Sequence, residues 1–171
     1  MSHTISCLPS PMGDLIAVTA PDGTLHALDF ADFEARLRRL FTRHHPGVSL
    51  APGEPPAELT AALAAYFAGD VTALDGLPVA RIGSDFQRRV WAALRAIPAG
   101  ETRSYGQLAA AIGQPTASRA IGLANGANPI GIVVPCHRVI GSGGALTGYA
   151  GGVERKAWLL RHEGALAPLL A

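Results

Sequence analysis

The chain has 171 residues, 49% hydrophobic, 16% charged and 6% aromatic, with a mean hydropathy of +0.24. Such a chain can bury a sizeable core in one domain or two small ones, and a disordered protein would be poorer in apolar residues and richer in charge. No stretch approaches the ~18 uninterrupted apolar residues of a membrane span, and Met1 to Ala17 lack the basic flank and apolar run of a signal peptide. Two cysteines, Cys7 and Cys136, are too few for a disulfide framework, so free thiols and a cytoplasmic setting are expected. The net charge of +1 hides an asymmetry: residues 1–80 hold 4 Arg against 9 acids, residues 81–171 hold 9 Arg and 1 Lys against 4 acids. A split of this kind can mark a polyanion-binding half, and can equally be an excess on solvated helices.

The first thirty residues read as short strands, Thr4 to Leu8, Leu15 to Thr19 and Thr24 to Phe30, separated by the turn signals Pro9-Ser10-Pro11-Met12-Gly13 and Pro21-Asp22-Gly23. Phe33 to Phe41 predicts a helix with Phe33, Leu37, Leu40 and Phe41 on one face. His45 to Pro56, with four prolines and two glycines, reads as a loop, a helix follows to Phe67, and Gly69 to Gly83 is a linker. Cys7 and His26 alone fall short of the about four ligands of a structural metal site, and no metal is expected. This half, residues 1–80, is a scaffold domain.

Residues 81–171 differ. Ser84 can cap a helix carrying Phe86, Val90, Trp91 and Leu94 that ends before Pro98-Ala99-Gly100. Ser104 can cap a second, Tyr105 to Ile112, which Gly113-Gln114-Pro115 breaks before a third from Thr116 to Ala124. Two short helices around a glycine-containing turn have the shape of a helix-turn-helix, a pattern that many packed helix pairs share. The third helix is built of small residues, Ala117, Ser118, Ala120, Gly122 and Ala124, around the large polar Arg119. That arginine either reaches into a groove or snorkels to solvent from a tightly packed helix.

Ile130 to Pro135 is a β-prone apolar run that ends in Pro135-Cys136-His137-Arg138, and Gly141 to Gly152 holds six glycines in twelve residues. A buried cysteine is commonly a small hydrophobe. Here, flanked by proline, histidine and arginine at the end of a strand, a nucleophile is the leading reading. A free thiol near pKa ~8.5 is only a few per cent thiolate at neutral pH, and a cation or imidazole can lower that by ~3 units, about 4 kcal/mol. In an extended segment His137 would face away from Cys136, so contact needs a turn or a bridging water. Glu163 is a plausible orienter for the imidazole, although locally it reads as a helix-end surface charge.

Pro135-Cys136-His137-Arg138-Val139-Ile140, preceded by Asn125-Gly126-Ala127-Asn128-Pro129, resembles the active-site signature of the O6-alkylguanine-DNA alkyltransferases. The resemblance runs from about Asp85 through Gly164 and includes Arg-Ser-Tyr-Gly at 103–106, Ser118-Arg119-Ala120, Thr147-Gly148-Tyr149 and His162-Glu163-Gly164. The first 80 residues resemble the family only in their strand-then-helix order.

The resemblance implies an α/β chain with a small N-terminal sheet-plus-helix domain, then a mostly helical C-terminal domain with a winged helix-turn-helix. It implies DNA repair by irreversible, single-turnover transfer of an alkyl group from O6-alkylguanine, with O4-alkylthymine as a second candidate substrate, to Cys136. His137, acting through a water, and Glu163 would activate the thiol, and Asn128 would hold the active-site turn. Tyr105 would help rotate the nucleotide outward and protonate the departing guanine. Double-stranded DNA would bind through its minor groove, with Arg119 filling the space of the extruded nucleotide and Arg103, Tyr105, Thr116, Ser118 and Ala120 beside it. Val134, Pro135, Gly144, Tyr149 and Ala150 would wall the base pocket. No cofactor is expected, since neither a phosphate loop nor a dinucleotide fingerprint is present. The expected protein is a monomer in solution, with cooperative assembly on DNA left open. The rival readings are a non-catalytic lesion-sensing module and a Cys-His hydrolase, and neither accounts for Arg119, Asn128 and Cys136 together.

Overall fold

The fold is described for residues 2–167 of a computed structural model. Those residues fall into two compact units, one of residues 2–82 with Pro129–Val133, the other of residues 83–128 with 134–167.

In the first unit the alternating apolar runs at the N-terminus form strands β1 (Ser2–Leu8), β2 (Leu15–Thr19) and β3 (Leu25–Phe30), paired antiparallel in succession. The tight turn before β3 relies on Gly23 at φ +89° and on Asp22, whose Oδ1 accepts from the Thr24 amide. All five residues of β2 are buried, as a central strand covered on both faces requires. Strand β4 (Ser49–Pro52) adds parallel to β1, giving the order β3-β2-β1-β4. The His45 to Pro56 segment, expected as a loop, therefore contains an edge strand. Its residues are mostly exposed and its pairing comes from the β1 backbone, so its composition carries no strand signal.

Phe33 belongs to a short 3-10 turn, Ala31–Phe33, and the helix proper, α1 (Glu34–His44), runs three residues beyond the expected end at Phe41. It lays Leu37 and Phe41 on Ile16, Val18 and Ala27 of the sheet. Helix α2 (Ala57–Phe67) buries Leu59, Leu63 and Tyr66. Three histidines collect beside α1: the His26 ring lies 4.6 Å from that of His3 and 4.7 Å from that of His45, with His26 Nδ1 and His45 Nε2 3.0 Å apart. Among the described residues no three His, Cys or carboxylate groups converge as metal ligands. Pro129–Val133 also belongs to this unit: the Leu28 amide donates to Pro129 O, and the Gly131 amide to Leu28 O.

The second unit opens with α3 (Asp85–Arg95), where Ser84 and Gln87 form a reciprocal capping box. After the short strand β5 (Arg103–Ser104), Ser104 and Gln107 repeat the device at α4 (Tyr105–Ala111). Gly113, at φ +77°, makes the turn toward α5 (Ser118–Gly126), which begins two residues later than expected. Ala117 offers no capping side chain, and its amide closes a turn on Gln114 O instead. Ile121, Ala124 and Asn125 form the buried face of α5, and Trp91 of α3 donates its indole N–H to Ala124 O at 2.9 Å. Strand β6 (Val139–Ile140) pairs parallel with β5, the glycine-rich segment follows, and α6 (Val153–His162) closes the unit. This is a winged helix-turn-helix after an N-terminal sheet, a mixed α/β chain. No described helix is long and apolar enough to cross a membrane.

Candidate active site

The run from Ile130 to Pro135 is not a strand. Only Ile130 bridges, to Leu28, and the chain then turns, with Ile132 at φ +68°. A buried β-branched residue in that region is strained, and bridge and packing must hold it there. Cys136–Arg138 forms a 3-10 turn, closed by the Arg138 amide on Pro135 O at 3.0 Å. In such a turn successive side chains are rotated by about a third of a circle, so Cys136 and His137 are not set on opposite faces as strand geometry would have it.

Two asparagines, Asn125 in the last turn of α5 and Asn128 just beyond it, hold this turn. Asn128 Nδ2 donates to Val134 O at 2.8 Å, and Asn125 Nδ2 donates to Cys136 O at 3.3 Å. Both are buried, so each bond is shielded from competing water. Val134 and Pro135 are buried too, and Cys136 retains 8% exposure.

His137 is fully buried, with Nε2 2.9 Å from Glu163 Oε2, while Nδ1 has no hydrogen-bond partner among the described residues. Glu163 is clamped from its other side by Arg138, whose Nε donates to Oε1 and Nη2 to Oε2, both at 2.9 Å, while Nη1 donates to Ile97 O at 2.7 Å. Burial alone would raise the Glu163 carboxyl, but the His137 and Arg138 contacts outweigh it and hold it well below the usual carboxylate range. Burial pushes the imidazole down, against the pull of Glu163, toward the neutral form. The arrangement is therefore a carboxylate neutralised by arginine that accepts the Nε2 proton of a neutral ring. The lone pair is left on Nδ1.

Lys156 has no counterpart in the sequence reading. It is wholly buried on α6, and its ammonium donates to Val139 O at 2.5 Å and Thr147 O at 2.7 Å, tying the glycine-rich segment to β6. Burial pushes it down to about 8, with an opposing pull from Cys136, so it is still largely cationic at neutral pH. The available signal was a lysine on the buried stripe of α6, beside Ala157 and one turn before Leu160. Arg138 and Asn125, quoted only as parts of motifs, likewise prove to be structural members of the site.

A second group lines an open, shallow cavity of about 500 Å³: Tyr105, Ser118, Arg119, Gly122, Leu123 and Thr147. The Tyr105 ring lies between two glycines: a Cβ on Gly148, itself at φ +65°, would stand 3.2 Å from the Tyr105 hydroxyl, and one on Gly122 would stand 3.9 Å from its ring. Of the other expected residues, Thr116 is exposed and Ala120 half-buried, and neither lines the cavity. Arg103 pairs with Glu101 at 3.0 Å. Tyr149 sets its ring 6.5 Å from that of His137, edge to face, whereas Gly144 and Ala150 are exposed on the glycine-rich segment.

Comparison with known proteins finds a match to the family model "6-O-methylguanine DNA methyltransferase, DNA binding domain" over residues 85–165. The methylated-DNA–protein-cysteine methyltransferase of Salmonella typhimurium is 52% identical over 161 residues, covering 93% of this chain and 94% of that relative. The one from Mycobacterium tuberculosis is 48% identical over 153 residues, 88% of this chain and 92% of its own. The crystal structure of Mycobacterium tuberculosis OGT in complex with DNA superposes with a TM-score of 0.77 at 41% identity, over 95% of this chain and 93% of that one.

Proposed function

The chain belongs to the methylated-DNA–protein-cysteine methyltransferases, and from that premise we propose how its residues carry the reaction. It repairs DNA by direct reversal, taking the alkyl group onto a cysteine. Cys136 is the acceptor, and the observation that carries this assignment is that His137, in the turn that bears the thiol, is paired with the buried Glu163 at the end of α6.

The Cys136 proton passes through a water to His137 Nδ1, the nitrogen that the Glu163 contact leaves with its lone pair. The thiolate attacks the alkyl carbon opposite the C–O6 bond: an S–C bond forms, the C–O6 bond breaks and its electron pair stays on the base. The Tyr105 hydroxyl gives that base a proton and is reprotonated through solvent from the His137 imidazolium. In sum the thiol proton has moved to guanine. The thioether that remains resists water, so each molecule acts once.

The O6 atom lies within the paired stack, so the nucleotide must leave the duplex, at a cost of a few kcal/mol that a poorly pairing alkylated base reduces. Helix α5 enters the minor groove and Arg119, a planar cation that can stack and hydrogen-bond, fills the vacated space. Arg103, Thr116, Ser118 and Ala120 flank it on the backbone side. Val134, Pro135, Tyr149, Gly144 and Ala150 surround the extruded base, and the open hollow between Tyr105, α5 and Thr147 takes the duplex beside it. The protein acts as a monomer.

Intact-protein mass spectrometry after mixing with a duplex containing one O6-methylguanine tests the reading. The expected result is a gain of one methyl, ~14 Da, on the Cys136 peptide, saturating at one per chain. Binding without mass gain would leave a lesion-sensing module.

A further inference from the structure

The exposed face of α5 carries two large side chains. Arg119 is one, and the other is Leu123, four residues and about one turn further on, 73% exposed. Both line the cavity beside Tyr105 and Thr147. Around them the same face is reduced to Ser118, Gly122 and Gly126, so neither is screened by a neighbour on the helix. A singly exposed leucine is ordinary on a protein surface. This one matters for its place, in the wall of the cavity and in line with a cation that has no ion-pair partner among the described residues.

Resting on the reading above, we propose that Leu123 is a second wedge: it packs on the deoxyribose and base edge of the pair next to the extruded nucleotide while Arg119 occupies the vacated space. The floor of a minor groove presents sugar C–H groups and base edges, and apolar side chains set between base steps unstack and open a duplex. An arginine alone gains its contacts largely from charge, which salt screens. The isobutyl group adds a contribution indifferent to salt, since it removes apolar surface from water. Leu123 is a positioning residue: it lowers the cost of extrusion and leaves the chemistry at Cys136 untouched.

The test is single-turnover transfer by the full chain from O6-methylguanine in a duplex and in a single strand, for wild type, Leu123→Ala, Leu123→Met and Arg119→Ala. Leu123→Ala should slow the duplex reaction about tenfold and leave the single-strand reaction within about twofold. Leu123→Met, which keeps the volume, should stay near wild type. The slope of log affinity for the duplex against log salt should be unchanged in Leu123→Ala and shallower by about one in Arg119→Ala. Equal loss on both substrates, or wild-type rates on the duplex, would overturn the wedge while leaving the alkyl transfer intact. A wild-type protein that transferred no methyl group would overturn the functional reading and the wedge with it.

Discussion

His137 Nε2 and Glu163 Oε2 stand 2.9 Å apart with neither side chain exposed to solvent. That one contact decides which imidazole nitrogen carries the proton. His137 and Arg138 together hold Glu163 in its charged form, while burial pushes the ring toward neutrality. With the ring neutral the buried Arg138–Glu163–His137 group carries no net charge, whereas a protonated ring would leave one uncompensated charge away from water, which is costly.

Replacing Glu163 by Gln keeps the shape and removes the charge. Arg138 then becomes a buried cation without its counter-ion, and unfolding stability in urea at pH 7 should fall by about 3–5 kcal/mol. Transfer should slow by about a hundredfold as the imidazole loses its orientation. Wild-type values for both quantities would show that the pair is dispensable.

The pH dependence of transfer follows from His137. In the proposed relay the ring accepts a proton only when unprotonated, and burial places its titration below the ordinary value of 6.5. The rate should therefore be level through neutrality and fall on the acid side, below pH 6.5. Single-turnover rates in His137→Gln should be low and lack that acid limb, whereas an unchanged limb would assign it to another group.

Alkylation should loosen the protein. Cys136 is 8% exposed in a turn held by Asn125 and Asn128, and an added methyl group has little room. Overpacking costs about 1–3 kcal/mol and a chain of this size loses about 2–4 °C per kcal/mol, so the methylated form should melt roughly 2–12 °C lower. Calorimetry before and after stoichiometric reaction measures this, and equal melting temperatures would show that the turn absorbs the group without strain.

Lys156→Met should expose the role of the buried ammonium. It leaves Val139 O and Thr147 O without their donor, at roughly 1–3 kcal/mol for each acceptor that stays dry. Amide exchange should accelerate in residues 141–152 more than in α3, because the two carbonyls the lysine holds lie in and beside that segment. Uniform acceleration would mean that it supports the whole unit.

The histidine cluster predicts acid sensitivity in the first unit. Burial, reinforced by His45 and His3 and opposed by Asp22, pushes His26 down to about 4, below its ordinary 6.5. Between those values the unfolded chain binds more protons than the folded one, so stability is lost as pH falls from about 6.5 toward 4. In His26→Gln the urea midpoint should vary less across that window. The same slope in both proteins would place the sensitivity elsewhere.

Much was legible along the chain because it is local. The caps at Ser84 and Ser104, the glycine turns and the short apolar run of β2 depend on neighbours within a few residues, and each of these elements appears near its expected place. The string from Pro135 to Ile140, with Asn128 and Arg119 upstream, was enough to point to alkyl transfer. What failed locally was decided by distant partners. Strand β4 exists because β1 offers an edge, and the apolar run before Cys136 turns instead of extending because Leu28, Asn128 and Asn125 take up its backbone groups. Glu163, a surface charge by its local setting, is buried because His137 and Arg138, 26 and 25 residues away, satisfy both its oxygens. Lys156 is the same case with opposite charge, invisible until two carbonyls from separate segments meet at its ammonium. A burial penalty is offset only by groups that folding brings together, so the kind of chemistry is written along the chain while the charge states that run it come from tertiary contact.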